Sequence, residues 1–275
     1  MVAIRVGNVD FWNGGRGLYY IIVAGPAGSG KSTMTNVLAH WLEDHEMSVT
    51  KVNFDPAADY LPYNPDVDVR DYVNIKEVMS KYGLGPNGAL IATIDMLVNH
   101  IADIKNEIES LNDNYVIIDM PGQLEIVAFR RVGPLLIDYL TEGRKAATLF
   151  LIDSYLVLNA MSAISLLLLS LSTLLRMKKP QVIALTKVDL LTSEQESEVV
   201  RIFSEEFSCS ELLSSEGFVG TELIMNLCED VKELLPEVIP TSAVSNKGLD
   251  EIYAALQRVF SGGEDYLTEE PSGKL

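Results

Sequence analysis

Eight consecutive residues, Gly25-Pro26-Ala27-Gly28-Ser29-Gly30-Lys31-Ser32, carry the chemistry most directly readable in this chain. Their pattern, G-x-x-x-x-G-K-[ST], suits a loop wrapped around phosphate. Glycines let the backbone curl with its N–H groups inward, and a helix N-terminus behind them adds favourable potential. Lys31 then bridges the outer phosphates and Ser32 ligates Mg²⁺, with Gly28, Ser29, Gly30 and Thr33 completing the cradle. A plain glycine turn between strand and helix would not call for Lys and Ser at those two places. The expected ligand is a nucleoside triphosphate with Mg²⁺.

Two later segments bring further polar groups to the ends of apolar runs. Asp119-Met120-Pro121-Gly122-Gln123 closes the run YVIID, and an acid at the C-terminal end of a strand faces the same crevice as the phosphate loop. The segment looks like the D-x-x-G-Q switch of GTPases. That likeness puts Asp119 near Mg²⁺, lets Gly122 sense the γ-phosphate through its N–H, and makes Gln123 or Glu125 the group that orients the attacking water. Taken alone, an Asp at a strand end caps a helix. Thr186-Lys187-Val188-Asp189 and Ser242-Ala243 resemble the guanine reader of GTPases: Asp189 would accept from N1–H and the exocyclic amine, Lys187 would pack over the ring, and the Ser242-Ala243 backbone would meet O6. An isolated T-K-V-D arises by chance in many proteins; here its force comes from its order and position among the other motifs. Thr186 stands where Asn is commoner, which leaves open how firmly that loop is tied.

These residues need strands to carry them. Apolar runs at residues 19–23, 49–54, 115–119, 147–153 and 181–186, with a weaker one at 238–240, alternate with segments of helical period such as Met34, Val37, Leu38, Trp41 and Leu42. Alternation of this kind predicts a three-layer α/β sandwich with a mostly parallel sheet, buried on both faces. Residues 55–114 form an insertion with a short helix near 75–82, the sequence GLGPNGA, and one long helix striped by Ile94, Leu97, Ile101, Ile104, Ile108 and Leu111. A second, Glu-rich helical insertion spans 193–236 and opens with a capping box of Ser193 and Glu196. Residues 1–18 are an extension of unassigned role, 19–261 the main domain, and 262–275 an acidic tail expected to be mobile.

Composition narrows the partners. With 21 Lys and Arg against 39 Asp and Glu, the chain carries a net charge of −18, so direct nucleic-acid binding is not expected. No signal peptide is read at the N-terminus, and a cytoplasmic location follows. Residues 155–175 carry no charge and could span a bilayer by length, but phosphate-binding and base-binding motifs flank them. A spanning helix would separate those motifs, so the segment should stay in the domain, with Ser162, Ser165, Ser170 and Ser172 serving close packing. Cys209 and Cys228 match no zinc spacing, nor do His40, His45 and His100.

Gly85-Pro86-Asn87 lies between the phosphate loop and the D-x-P-G-Q segment, accompanied by Asn53-Phe54-Asp55-Pro56-Ala57 and Asp68-Val69-Arg70-Asp71. Together these motifs resemble the GPN-loop GTPase family in its archaeal-type, homodimeric form, over residues 19–260. The resemblance implies a P-loop NTPase fold, hydrolysis of GTP to GDP, and a dimer in which Asn87 reaches the partner's phosphate site in place of an arginine finger. It also implies that Asp55 lies in the first switch near Mg²⁺, beside Ser32 and Asp119. Eukaryotic members serve RNA polymerase assembly, so a polymerase assembly intermediate is the kind of protein partner implied. Related dimeric NTPases often carry a second lysine early in the phosphate loop; Pro26 and Ala27 occupy that stretch here. Two other readings share the phosphate loop: an ATP-dependent kinase, which should carry an Arg-rich lid, and a nucleotide-binding scaffold with little turnover.

Overall fold

Near-continuous apolar runs become the strands of one sheet in the computed structural model, which describes residues 18–124, 130–203, 230 and 237–261. In chain order the elements are β1 (Tyr19–Ala24), α1 (Lys31–Asp44), β2 (Val49–Asn53), β3 (Val67–Asp68), α2 (Ile75–Tyr82), α3 (Pro86–Leu97), α4 (Ile101–Leu111) and β4 (Tyr115–Asp119). They continue with α5 (Val132–Leu140), β5 (Lys145–Asp153), α6 (Ser154–Val157), α7 (Ala160–Met177), β6 (Gln181–Thr186), α8 (Ser193–Ile202), β7 (Val238–Pro240) and α9 (Leu249–Phe260). The seven strands lie in the order β3-β2-β4-β1-β5-β6-β7, and every pairing among them is parallel. Parallel neighbours require crossovers, and these place helices on both faces.

One face is packed by α2 through α5, α7 and α8, through residues such as Leu90, Ile94, Ile104, Leu136 and Ala163 against Tyr20, Ile22, Val116 and Phe150. The other is packed by α1 and α9, with Met34, Leu38, Ile252 and Leu256 against Ile21, Val23, Ile117 and Leu149. Alternate side chains of each strand feed opposite faces, which explains why the strands are apolar throughout. Each fully buried Ile or Leu contributes about 1.5–3 kcal/mol, so apolar burial along the central strands is a large part of what holds the sheet together.

Register decides where the polar strand ends fall. Val23 and Asn53 both stand opposite Asp119, and Asp153 stands opposite Thr186. The C-terminal ends of five strands, β1, β2, β4, β5 and β6, therefore share one edge of the sheet, the edge where ligands bind in open α/β folds.

Several expectations need adjusting. The long helix of the first insertion is two helices: Asn99 N–H bonds Met96 and His100 N–H bonds Leu97, a tighter turn that ends α3 before α4 begins. Its stripe survives the break, because Ile94, Leu97, Ile101, Ile104 and Ile108 all reach the same core. The short strand β3 lies within that insertion, at the sheet edge. The capping box of α8 is Thr192 with Gln195, one residue earlier than Ser193 with Glu196, since the chain is still extended at Thr192. In α7, Ser170 is buried and bonds Gln181, whereas Ser165 is exposed and Ser162 and Ser172 are half-buried. Among the described residues no helix is long and apolar enough to cross a membrane. Residues 1–17, Glu125, Cys209, Cys228, most of 193–236 and the tail 262–275 lie outside the described residues.

Candidate nucleotide site

The phosphate loop follows β1 and its glycines take backbone conformations closed to other residues. Gly25 has φ of 151°, and a Cβ there would lie 2.6 Å from the Leu151 carbonyl oxygen on the neighbouring strand. Gly30, also at positive φ, caps α1, so the helix begins at Lys31 with its N–H groups facing the loop. The Lys31 side chain is buried and its Nζ donates to the carbonyls of Gly25 at 3.1 Å and Pro26 at 2.9 Å. Burial pulls its pKa below the ordinary lysine value, while Asp119 and Asp55 pull it back up. A buried ammonium folded onto its own loop's carbonyls can exchange them for phosphate oxygens without entering water.

Asp119 ends β4 beside that loop. Tyr63 Oη donates to Asp119 Oδ2 at 2.9 Å, and Asp119 Oδ1 is buried with no hydrogen-bond partner. Burial holds the Asp119 carboxyl above the usual carboxylate range, against the Ser32 and Tyr63 hydroxyls and Lys31, which lower it. Asp55 is raised for the same first reason, burial, with the Ala57 N–H and Lys31 opposing. A buried carboxylate with an orphaned oxygen, a half-buried carboxylate and a serine hydroxyl form a set of hard oxygen donors, which fits Mg²⁺. Among the described residues no three His, Cys, Asp or Glu side chains cluster as a metal site.

Gly122 approaches the loop so closely that a Cβ on it would sit 3.2 Å from Ala27 Cα and 3.5 Å from Lys31 Nζ. Gln123 Oε1 is buried without a partner.

A loop carrying Asp55 is pinned from behind. Asn53 Nδ2 donates to Asp68 at 2.9 Å, and Arg70 grips Asp68 with Nε at 3.0 Å to both carboxylate oxygens, and with Nη2 at 2.5 Å to Oδ2. Arg70 also donates to the Ala58 carbonyl at 2.7 Å. Burial would raise the Asp68 carboxyl, but these bonds outweigh it and hold the group below its ordinary value. Neither Tyr63 nor the pinning role of Arg70 was legible from the motifs.

The base end is assembled from β5, β6 and the turn after β7. Thr186 Oγ1 donates to the Ser29 carbonyl at 2.8 Å and lies 3.2 Å from that of Ile152. The threonine thus ties the loop to the phosphate loop, answering what its replacement of Asn left open. Lys187 sits in the left-handed region at φ 62°, and its Nζ donates to the Gly28 carbonyl at 2.6 Å and to Asp153 Oδ2 at 2.7 Å. Ser242 Oγ donates to Asp189 Oδ1 at 2.5 Å and accepts from the Val244 and Ser245 N–H groups at 3.2 Å. Ala243 follows in the same turn, half-buried.

The fold thus brings together residues 25–33, Asp55, 119–123, 186–189 and 242–243 at one sheet edge. Asn87 is elsewhere: it is exposed in the first turn of α3, after Pro86, with no hydrogen bond or ion pair to the phosphate loop among the described residues. Asp153 bonds Lys187 at the same sheet edge and the motifs did not reveal it; the strand-end logic that found Asp119 and Thr186 applies equally to the end of LFLID.

The chain is similar to known proteins over nearly its whole length. Residues 23–262 match a family model described as a conserved hypothetical ATP binding protein. GPN-loop GTPase 3 of Dictyostelium discoideum is 32% identical over 93% of this chain and 91% of its own length. GPN-loop GTPase 3 of Kluyveromyces lactis is 27% identical over 93% and 96%. The crystal structure of a GTPase of Pyrococcus abyssi in apo form superposes with a TM-score of 0.74 at 28% identity, covering 88% of this chain and 97% of that one. The sheet order, the phosphate loop and these likenesses converge, and the chain belongs to the GPN-loop GTPase family.

Proposed function

We propose that the chain hydrolyses GTP to GDP and phosphate as a Mg²⁺-dependent, cytoplasmic homodimer, and that the resulting change in dimer shape assists assembly of a protein partner, an RNA polymerase assembly intermediate being the kind of partner in view. The observation that carries the reading is the meeting of Lys31, Asp119 and Gly122 with a base loop bonded to the same phosphate loop. GTP is favoured over ATP by Asp189: guanine presents two adjacent N–H donors to a carboxylate, whereas adenine presents a lone pair at N1.

Lys31 holds the transferring phosphate and neutralises its growing charge, helped by the backbone N–H groups of residues 28–33. Mg²⁺, held by Ser32, Asp119 and Asp55, would supply further charge neutralisation and polarise the phosphate oxygens. The Gly122 N–H senses the outer phosphate, a role supported by the close approach of Gly122 to Ala27 and Lys31. Gln123, with Glu125 as the other candidate, orients the attacking water. Asn87 donates its amide N–H₂ to the partner subunit's nucleotide, adding a donor without charge. Its exposure at the start of α3 supports this role.

The test is Asn87→Ala, expected to lower kcat by roughly 10-fold to 1000-fold, the loss of one preorganised donor, with a smaller change in GTP binding. Mixing this variant with Lys31→Ala under subunit exchange should restore activity, because the Asn87→Ala subunit binds GTP and receives an intact loop. No recovery despite demonstrated exchange refutes action across the dimer.

A further inference from the structure

We infer that Asp153 is a positioning residue for base recognition, acting through Lys187; this rests on the guanine reading above. Asp153 ends β5 directly opposite Thr186 of β6, so its carboxylate stands one strand away from the base loop. Both oxygens are engaged in different tasks. Oδ1 accepts from the Tyr155 N–H at 3.0 Å and so caps the short α6, while Oδ2 accepts from Lys187 Nζ at 2.7 Å.

Lys187 needs such a partner. Its backbone sits in the left-handed region, which a non-glycine residue adopts at a cost, and a lysine side chain left in solvent would sample many rotamers. Anchoring Nζ between the Gly28 carbonyl and Asp153 restrains the four methylenes at both ends, so that they can serve as a wall. A planar base can then pack against that wall without the entropy cost of ordering it on binding. The ion pair is only partly exposed, with 17% of the Asp153 side chain accessible, so its charge is less screened than a surface pair's. The same ammonium spans Gly28 and Asp153, which makes the phosphate loop and the wall under the base a single bonded unit.

Asp153→Asn separates the two tasks. The amide oxygen can still cap α6, but the pair with Lys187 loses its negative charge. Affinities of wild type and variant are measured for GDP and for inorganic triphosphate, which lacks a base, with ADP as a wild-type control. The expected result is GDP binding weakened roughly 10-fold with triphosphate binding unchanged to within about 2-fold. Unchanged GDP affinity in the variant, while wild type prefers GDP to ADP, overturns the role of Asp153 alone. Equal loss for GDP and triphosphate also overturns it, because the residue would then support the fold of the whole crevice. Equal wild-type affinity for GDP and ADP overturns the guanine reading, and the inference with it.

Discussion

Thr186, Lys187 and Ser242, at the base end of the crevice, spend their hydrogen-bonding groups on each other's loops and on the phosphate loop. At the phosphate end, Ser29 Oγ, Asp119 Oδ1 and Gln123 Oε1 are buried without partners, and Lys31, Asp55 and Asp119 are all shifted against their charged forms by burial. Unsatisfied buried polar atoms cost about 1–3 kcal/mol each; others occur in the core, as at Tyr20 and Thr93, but these three lie at or next to the phosphate loop and the segment that meets it. The comparison teaches a division of labour. On the proposed reading, the base end is prearranged for selection, and the phosphate end carries a desolvation cost that ligand binding would relieve.

The sharpest way to break that contrast is Lys31→Ala. It removes the buried cation that faces Asp55 and Asp119, and nucleotide affinity should fall by about 2–5 kcal/mol while the fold survives, read by calorimetry at fixed Mg²⁺ and by circular dichroism. Unchanged affinity would show that the phosphate end does not depend on its lysine. Next in size, Asp189→Asn should cost GTP about 2–4 kcal/mol and improve xanthosine triphosphate, whose carbonyl replaces the guanine amine and can accept from the new amide. Competition binding of the two nucleotides decides it; equal binding to variant and wild type removes the guanine assignment. The smallest effect belongs to Thr186→Val, which keeps the shape but deletes the bond to Ser29. About 1 kcal/mol of GDP affinity should be lost, seen as a faster off-rate in stopped flow, and a variant indistinguishable from wild type would mean that the tie between the two ends is ornamental.

Legibility followed the strength of local signals. Strands β4, β6 and β7 have the boundaries read from the sequence, because each is a short apolar run flanked by polar or turn residues. β3 was invisible: a two-residue strand has no period, and only its neighbour β2 defines it. The break between α3 and α4 was hidden because Leu97 and Ile101 keep the helical spacing across it. Thr192-Ser193-Glu194-Gln195-Glu196 contains two overlapping capping boxes, and pattern alone cannot rank them. In the site, Lys31, Asp119, Thr186 and Asp189 announced themselves through spacing. Tyr63 and Asp153 did not, since their partners Asp119 and Lys187 are distant in sequence, and the grip of Arg70 on Asp68 lies in a segment whose spacing alone assigns it no such role.

The two ends of the sheet carry one more implication. At one border, β3 pairs through two residues; at the other, β7 has three and closes with Pro240, which has no N–H to offer a further strand. A sheet whose interior strands are almost wholly apolar would, with long bare borders, recruit strands from neighbouring molecules and grow into aggregates. Among the described residues, the border strands themselves offer such recruitment only a few backbone donors and acceptors on either side. The strongly apolar interior can therefore coexist with high concentration of the protein, and lengthening either border strand should be felt first in solubility.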